Sequence, residues 1–96
     1  MQSEVRRMDR KLCAVDVISV CSATGELRPL RLRMEDENHQ LLRINIDEVL
    51  DVQDIQHVGA EAHIYLCRST IWGRTWTFEL KYSIRTHTWW MRKTIS

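Results

Sequence analysis

The chain contains 96 residues, of which 44% are hydrophobic and 28% are charged, and its formal net charge is +1. This length and balance are typical of one globular domain and exclude disordered and fibrous chains. We therefore expect a single domain over residues 1–96, with residues 1–10 as a flexible or loosely packed N-terminal arm. That arm is polar and lacks the apolar segment of a signal peptide. No apolar stretch approaches the ~20 residues that a membrane-spanning helix needs, so we expect no membrane partner.

The small net charge conceals three blocks of opposite sign. Residues 1–34 hold seven Lys or Arg against four Asp or Glu, residues 35–67 hold one against eight, and residues 68–96 hold six against one. The block charges are therefore +3, −7 and +5. Such blocks either neutralise each other within the fold or form separate patches that face different partners. The sequence leaves both alternatives open.

The three cysteines, Cys13, Cys21 and Cys67, are odd in number and irregularly spaced. A secreted chain of this size more often carries an even disulfide framework. The pattern favours free thiols that pack as small hydrophobic groups in a reducing compartment, so we expect a cytoplasmic protein. For Cys67 a structural role is favoured over that of a nucleophile. His63, four residues away on the same strand, would lie about 13 Å from it.

The N-terminal half shows strand-like patterns of apolar residues. It predicts three strands, over residues 12–22, 28–35 and 41–46. Thr24 and Gly25 lie where a two-residue hairpin turn would place Val17 opposite Leu32. In the third strand the inward side chains would be Leu42, Ile44 and Ile46.

The segment that follows, residues 47–59, is less regular. Asp47 suits the N-cap position of a helix. Apolar side chains then follow at roughly helical spacing: Val49, Leu50 and Val52. We expect one short helix or 3-10 turn near residues 47–53, and a break or bulge at Gly59 before the next strand.

Residues 75–85 show the clearest alternation in the chain, with an apolar side chain at every second position from Trp76 to Ile84. They predict a strand with one buried and one exposed face. Residues 60–68 predict its hairpin partner. The expected core residues of this region are Phe78, Leu80 and Ile84, packed with Ile64, Leu66, Leu32 and Ile44.

The register of this hairpin depends on which faces meet. If Leu66 lies opposite Leu80, both strands bury one apolar face, and residues 72–74 form a three-residue loop. A two-residue turn would place Leu66 opposite Glu79 and turn one apolar face to water, so we predict the three-residue loop. Together the strands predict an all-β fold. It is an antiparallel meander of five or six strands that forms a small, partly open barrel or a curved sheet.

Motifs of enzymes and metal sites do not occur in the sequence. It has no close cysteine or histidine pair of the kind that holds zinc, no calcium-loop spacing and no nucleophile motif. With three glycines, the chain cannot form a contiguous glycine-rich phosphate loop. We therefore predict a non-enzymatic protein with no catalytic residues, no metal site and no cofactor.

The C-terminal third combines all four tryptophans with most of the local positive charge. Basic residues interleaved with aromatic ones on a sheet can neutralise phosphates and stack bases. Trp89 and Trp90 cannot both face the core of a regular strand, so at least one indole is expected to be exposed. Exposed tryptophans are enriched where proteins meet partners. The candidate binding residues are Trp72, Arg74, Lys81, Arg85, Trp89, Trp90, Arg92 and Lys93.

Three interpretations of function agree with these patterns. The first is a non-enzymatic interaction module of unknown partner that self-associates as a homo-oligomer through the C-terminal aromatic strand. The alternative is a small β-barrel that binds RNA or single-stranded DNA through the basic-aromatic face. A third interpretation, a small ligand inside a half-open barrel, requires a cavity that a sequence does not reveal.

Overall fold

The computed structural model describes residues 12–36 and 38–93, and the expected N-terminal arm lies outside these residues. Seven strands form most of the described chain, one more than the upper prediction. In chain order they are β1 (Cys13–Cys21), β2 (Leu27–Glu35), β3 (Leu41–Asn45), β4 (Glu48–Ile55), β5 (Ala62–Ile71), β6 (Arg74–Ser83) and β7 (Thr88–Lys93). The described residues form no helix that is long and apolar enough to cross a membrane.

All seven strands pair antiparallel in one open, curved sheet with the order β3-β2-β1-β7-β6-β5-β4. The two outer strands, β3 and β4, are consecutive in the chain, and only Ile46 and Asp47 separate them. Such a link spans about 11 Å at most, so the sheet must curl until its two ends approach each other. The Ile46 N–H donates to the Leu30 carbonyl (3.0 Å) and the Asp47 N–H to the Arg68 carbonyl (2.9 Å). The predicted all-β, antiparallel curved sheet is confirmed.

The concave face of the curled sheet holds the core. Leu32 and Leu80 are almost fully buried, and Phe78 and Ile44 are buried with them, as predicted. The other members of the core cluster are Val15, Tyr65, Cys67 and Met91. The prediction for Ile84 is wrong. Its side chain is 39% exposed, because β6 ends at the preceding residue and the chain turns away from the core.

The β5–β6 hairpin has a different register from the predicted one. A two-residue turn at 72–73 replaces the three-residue loop, so Leu66 lies opposite Glu79. Leu66 and Ile64 therefore lie on the outer face, and the prediction that they pack in this core is wrong. The side chains of β5 on the concave face are His63, Tyr65, Cys67, Ser69 and Ile71. Because β5 carries apolar side chains on both faces, its pattern alone does not fix the register.

The segment predicted as a short helix near residues 47–53 is instead the link to β4 and most of that strand. Val49 and Val52 both lie opposite core residues of β5, although they are three positions apart. A β-bulge at Leu50 inserts one extra residue between them. The bulge thus produces the spacing that resembles a helix. Gly59, with φ of 83°, lies in the turn before β5, where a break is predicted.

The β1–β2 hairpin also contains a register shift. Three residues, 23–25, form its turn instead of the predicted two, and Gly25 adopts a φ of 92°. A bulge at Leu30 then moves the register by one residue, so Val17 lies opposite Leu32 as predicted. The third predicted strand is confirmed as β3.

Candidate functional site

The tip of the β5–β6 hairpin carries the most exposed tryptophan of the described residues. Trp72 and Gly73 have φ values of 50° and 76°, and positive φ at both central positions is the mark of a type I′ turn. Asn and Gly suit this conformation, whereas a bulky side chain adopts it rarely and with strain. Trp72 is nevertheless 87% exposed. Strained backbone positions of this kind cluster at functional sites.

Trp76 lies near the same tip, on the same face of β6 as the core residue Phe78, and is 40% exposed. The guanidinium carbon of Arg74 is 5.7 Å from its ring centroid, and the ammonium nitrogen of Lys93 is 5.8 Å from it. Both distances lie within the cation–π range. Lys93 reaches this position from β7, where it lies opposite Phe78. The structure thus places two cations on the Trp76 ring, close to the tip that carries Trp72, and we call Trp72, Arg74, Trp76 and Lys93 the hairpin site.

The hairpin site is positively charged without local compensation. Residues 68–78 contain no aspartate or glutamate. Within the described part of the chain, neither Arg74 nor Lys93 forms an ion pair. Ser69, directly opposite Trp76, is fully buried, and its hydroxyl has no hydrogen-bond partner among the described residues. The site can therefore attract an anion and offer it two aromatic surfaces.

Three other predicted binding residues lie on the outer, convex face. Lys81 lies between Ile64 on β5 and Trp90 on β7. Arg92 forms an ion pair with Glu79, its neighbour on β6, and both side chains are about one-third exposed. Trp90 is half-buried. We call the following residues the outer patch: Ile64, Leu66, Lys81, Trp90 and Arg92.

The last two predicted residues belong to neither surface. Trp89 packs against the core, with its ring 5.7 Å from Tyr65 and 4.9 Å from Tyr82. Trp89 and Trp90 point to opposite faces, as neighbours on a strand must, and both are half-buried. Arg85 is exposed in the β6–β7 turn, at the other end of β6 from the hairpin site. The residues predicted as one surface are therefore divided among several places.

A cluster of two histidines, a tyrosine and an aspartate lies at the end of the sheet away from the hairpin site. His63 Nδ1 is 2.7 Å from a carboxylate oxygen of Asp54, and its ring stacks on Tyr82 at 6.2 Å. The Tyr82 hydroxyl is 2.8 Å from His87 Nδ1. These side chains hydrogen-bond in pairs, and the described residues contain no group of three candidate metal ligands. Cross-strand register, which the sequence pattern did not fix, is what brings them together.

Cys67 has the structural position expected for it. Burial raises the pKa of its thiol to about 12, so the thiol stays protonated at neutral pH. Its Sγ–H donates to the Tyr65 carbonyl at 3.6 Å. All three cysteines are free thiols as predicted, but only Cys67 is fully buried, since Cys13 is partly buried and Cys21 exposed.

Four arginines of β2 and β3, outside the aromatic C-terminal third, share the outer face of the sheet. We call them the arginine face: Arg28, Arg31, Arg33 and Arg43. All four are exposed. The sequence signal for this surface is the position of Arg31 and Arg33 on either side of the inward-facing Leu32.

Comparisons with protein-family models, with curated proteins and with solved structures find no match for this chain.

Proposed function

We propose that this protein is a non-enzymatic module that binds single-stranded nucleic acid at the hairpin site. The observation that carries the proposal is Trp72. This tryptophan is 87% exposed, and its backbone has a φ of 50°. In the isolated fold this position is unfavourable twice, through backbone strain and through apolar surface in water. A ligand that covers the indole would remove its apolar surface from water. The backbone strain would then serve to hold the indole in position for that ligand.

The chemistry of the surrounding side chains indicates the ligand class. Unpaired bases stack on exposed aromatic rings, and this interaction tolerates any base. Trp72 and Trp76 offer two such rings, and Arg74 and Lys93, which lie against the Trp76 ring, can meet phosphates. The lack of carboxylates in residues 68–78 favours an anionic ligand over a basic one.

Fluorescence anisotropy with labelled single-stranded DNA and RNA oligonucleotides tests the proposal. The Trp72→Asn and Trp76→Ala variants should each weaken binding by about 1–3 kcal/mol, the usual value of one stacked base. Arg74→Ala should weaken binding and reduce its salt dependence, because it removes a phosphate contact.

Arg85→Ala is the matched control for Arg74→Ala, because both arginines are exposed at ends of β6 but only Arg74 belongs to the hairpin site. This control should bind like the wild type. A wild-type chain that ignores oligonucleotides at low salt would overturn the proposal. So would Trp72→Asn and Trp76→Ala variants that bind with unchanged affinity.

A second candidate function, self-association, is supported by the outer patch. Strands that are covered on both sides usually carry apolar side chains on both faces. β5 has this pattern, because Ile64 and Leu66 lie on its outer face. Trp90 and Lys81 adjoin them, with the Glu79–Arg92 ion pair alongside. A second copy related by two-fold symmetry would meet this patch with its own indole and charges of both signs. Because β7 is an interior strand, such contact would use its face rather than its edge.

Light scattering on a sizing column, over a range of protein concentrations, tests self-association. Trp90→Ala combined with Ile64→Lys should shift an oligomer to monomer, because it removes the indole and adds one charged lysine to the contact from each copy. Trp72→Asn is the control, because Trp72 lies at the tip of the β5–β6 hairpin and outside the outer patch. This variant should leave the mass unchanged. A wild-type chain that stays monomeric at every concentration would exclude this candidate.

A further inference from the structure

The arginine face concentrates positive charge on the outer side of β2 and β3. Arg31 and Arg33 occupy alternate positions of β2, so their Cα atoms are about 7 Å apart. Arg43 lies directly opposite Arg33 on β3, where cross-strand Cβ atoms are about 5 Å apart. Arg28 continues the row beyond the bulge at Leu30.

These charges are only partly neutralised. Arg33 forms an ion pair with Asp16 at 2.8 Å, whereas Arg31 and Arg43 form no ion pair with any described residue. Like charges directly opposite each other destabilise a sheet, so the Arg33–Arg43 pair is unfavourable for the fold alone. A shallow groove of about 360 Å³ runs between these side chains, with Ile18 among its lining residues. The face is therefore a positively charged part of the outer surface, with a shallow groove and spare hydrogen-bond donors.

We propose that the arginine face binds the phosphate backbone of a nucleic acid and forms a second contact, separate from the hairpin site. The choice of nucleic acid as the anion rests on the proposed function. Guanidinium groups bind phosphate through two parallel N–H donors, and several arginines on one face of two adjacent strands match a ligand with repeated phosphates. The face carries no aromatic side chain, so it supplies charge and does not stack bases.

The salt dependence of binding separates this contact from base stacking. Each phosphate contact on a single strand adds about 0.7 to the slope of log K against log salt concentration. The Arg31→Gln/Arg43→Gln double variant should therefore lower the slope of oligonucleotide binding by about 1.4. The matched Arg31→Lys/Arg43→Lys variant keeps both charges and should keep the slope. Trp72→Asn should lower affinity without changing the slope.

The same measurements distinguish failure of the two proposals. A slope in the glutamine variant equal to the wild-type slope would overturn the arginine face. A reduced slope in that variant, with unchanged affinity in Trp72→Asn and Trp76→Ala, would support the arginine face and overturn the hairpin site. Wild-type binding to phosphatidylserine vesicles, with no binding to oligonucleotides, would overturn both. The glutamine variant should unfold at the same urea concentration as the wild type or a higher one, because like charges are removed.

Discussion

The hydroxyl of Tyr65 donates a 2.6 Å hydrogen bond to the backbone carbonyl of Leu27 across the interior of the curled sheet. The two residues lie on β5 and β2, which three other strands separate in the sheet order. Tyr65 is only 3% exposed, so water does not readily replace its hydroxyl. This bond therefore links the two arms of the sheet where no strand pairing does, and helps to hold the curl.

Replacing Tyr65 with phenylalanine removes this link and leaves the Leu27 carbonyl without its donor. Leaving a buried acceptor unsatisfied costs about 1–3 kcal/mol, and this bond is part-buried, so Tyr65→Phe should lower the free energy of unfolding by up to that amount. Urea denaturation followed by circular dichroism measures it. Tyr82→Phe is the matched control, because among the described residues the Tyr82 hydroxyl bonds only to the exposed His87. Equal losses of unfolding free energy in the two variants would show that the Tyr65–Leu27 bond stabilises the fold no more than the Tyr82–His87 bond does.

The core assignment predicts a contrast between a fully buried residue and a partly exposed one. Leu80 is 0% exposed and Ile84 is 39% exposed. Leu80→Ala should lower the free energy of unfolding by about 2–5 kcal/mol, as large-to-small core substitutions do. Ile84→Ala should cost much less, since its neighbours can relax and water already reaches it. Similar denaturation midpoints for the two variants would contradict this assignment.

The alternation of residues 75–85 was enough to predict β6 and the burial of Phe78 and Leu80. It could not place β5, because Ile64 and Leu66 on one face and Tyr65 and Cys67 on the other are both apolar enough to form a core. A β-bulge at Leu50 likewise gave a strand the spacing of a helix. Both errors have one physical cause. Register and bulges are set by pairing between strands, which a single strand's pattern does not contain.

The candidate site shows the same limit. The composition of the C-terminal third points to Arg74 and Lys93, which the fold brings together on the Trp76 ring, and to the exposed Trp72 at the adjacent hairpin tip. It also selects Trp89, which the pairing of β6 with β7 places against Tyr82 beside the core. The alternation predicts that Trp76 lies on the same face of β6 as Phe78, and this face is confirmed. Its exposure follows from its position near the hairpin tip, where the opposite arm of the sheet no longer covers it.

The buried thiol and phenol predict a loss of stability at high pH. Burial raises the pKa of Cys67 from 9.0 to about 12, and burial together with the Asp54 carboxylate raises the pKa of Tyr65 from 10.0 to about 12. The unfolded chain releases these protons at lower pH than the folded chain. The stabilisation is therefore complete below pH 9 and is lost as the pH rises towards 12. The melting temperature should fall between pH 9 and pH 11, and fall less steeply in Cys67→Ala. If the melting temperatures of the wild type and Cys67→Ala fall in parallel with pH, the buried thiol is not a cause of the loss of stability.

The turn at the hairpin tip predicts that the wild-type residue is not the most stable one. Trp72 has a φ of 50° and precedes Gly73, so asparagine at this position would give the Asn-Gly pair that type I′ turns favour. Trp72→Asn should raise the free energy of unfolding by about 1 kcal/mol, because it relieves strain of that order. Trp72→Val should lower it, because a β-branched side chain suits positive φ least. Thermal denaturation of the three chains measures both changes.

If asparagine stabilises the fold while weakening oligonucleotide binding, the indole is retained at the expense of stability, as a binding residue would be. An asparagine variant no more stable than the wild type would show that the turn is not strained.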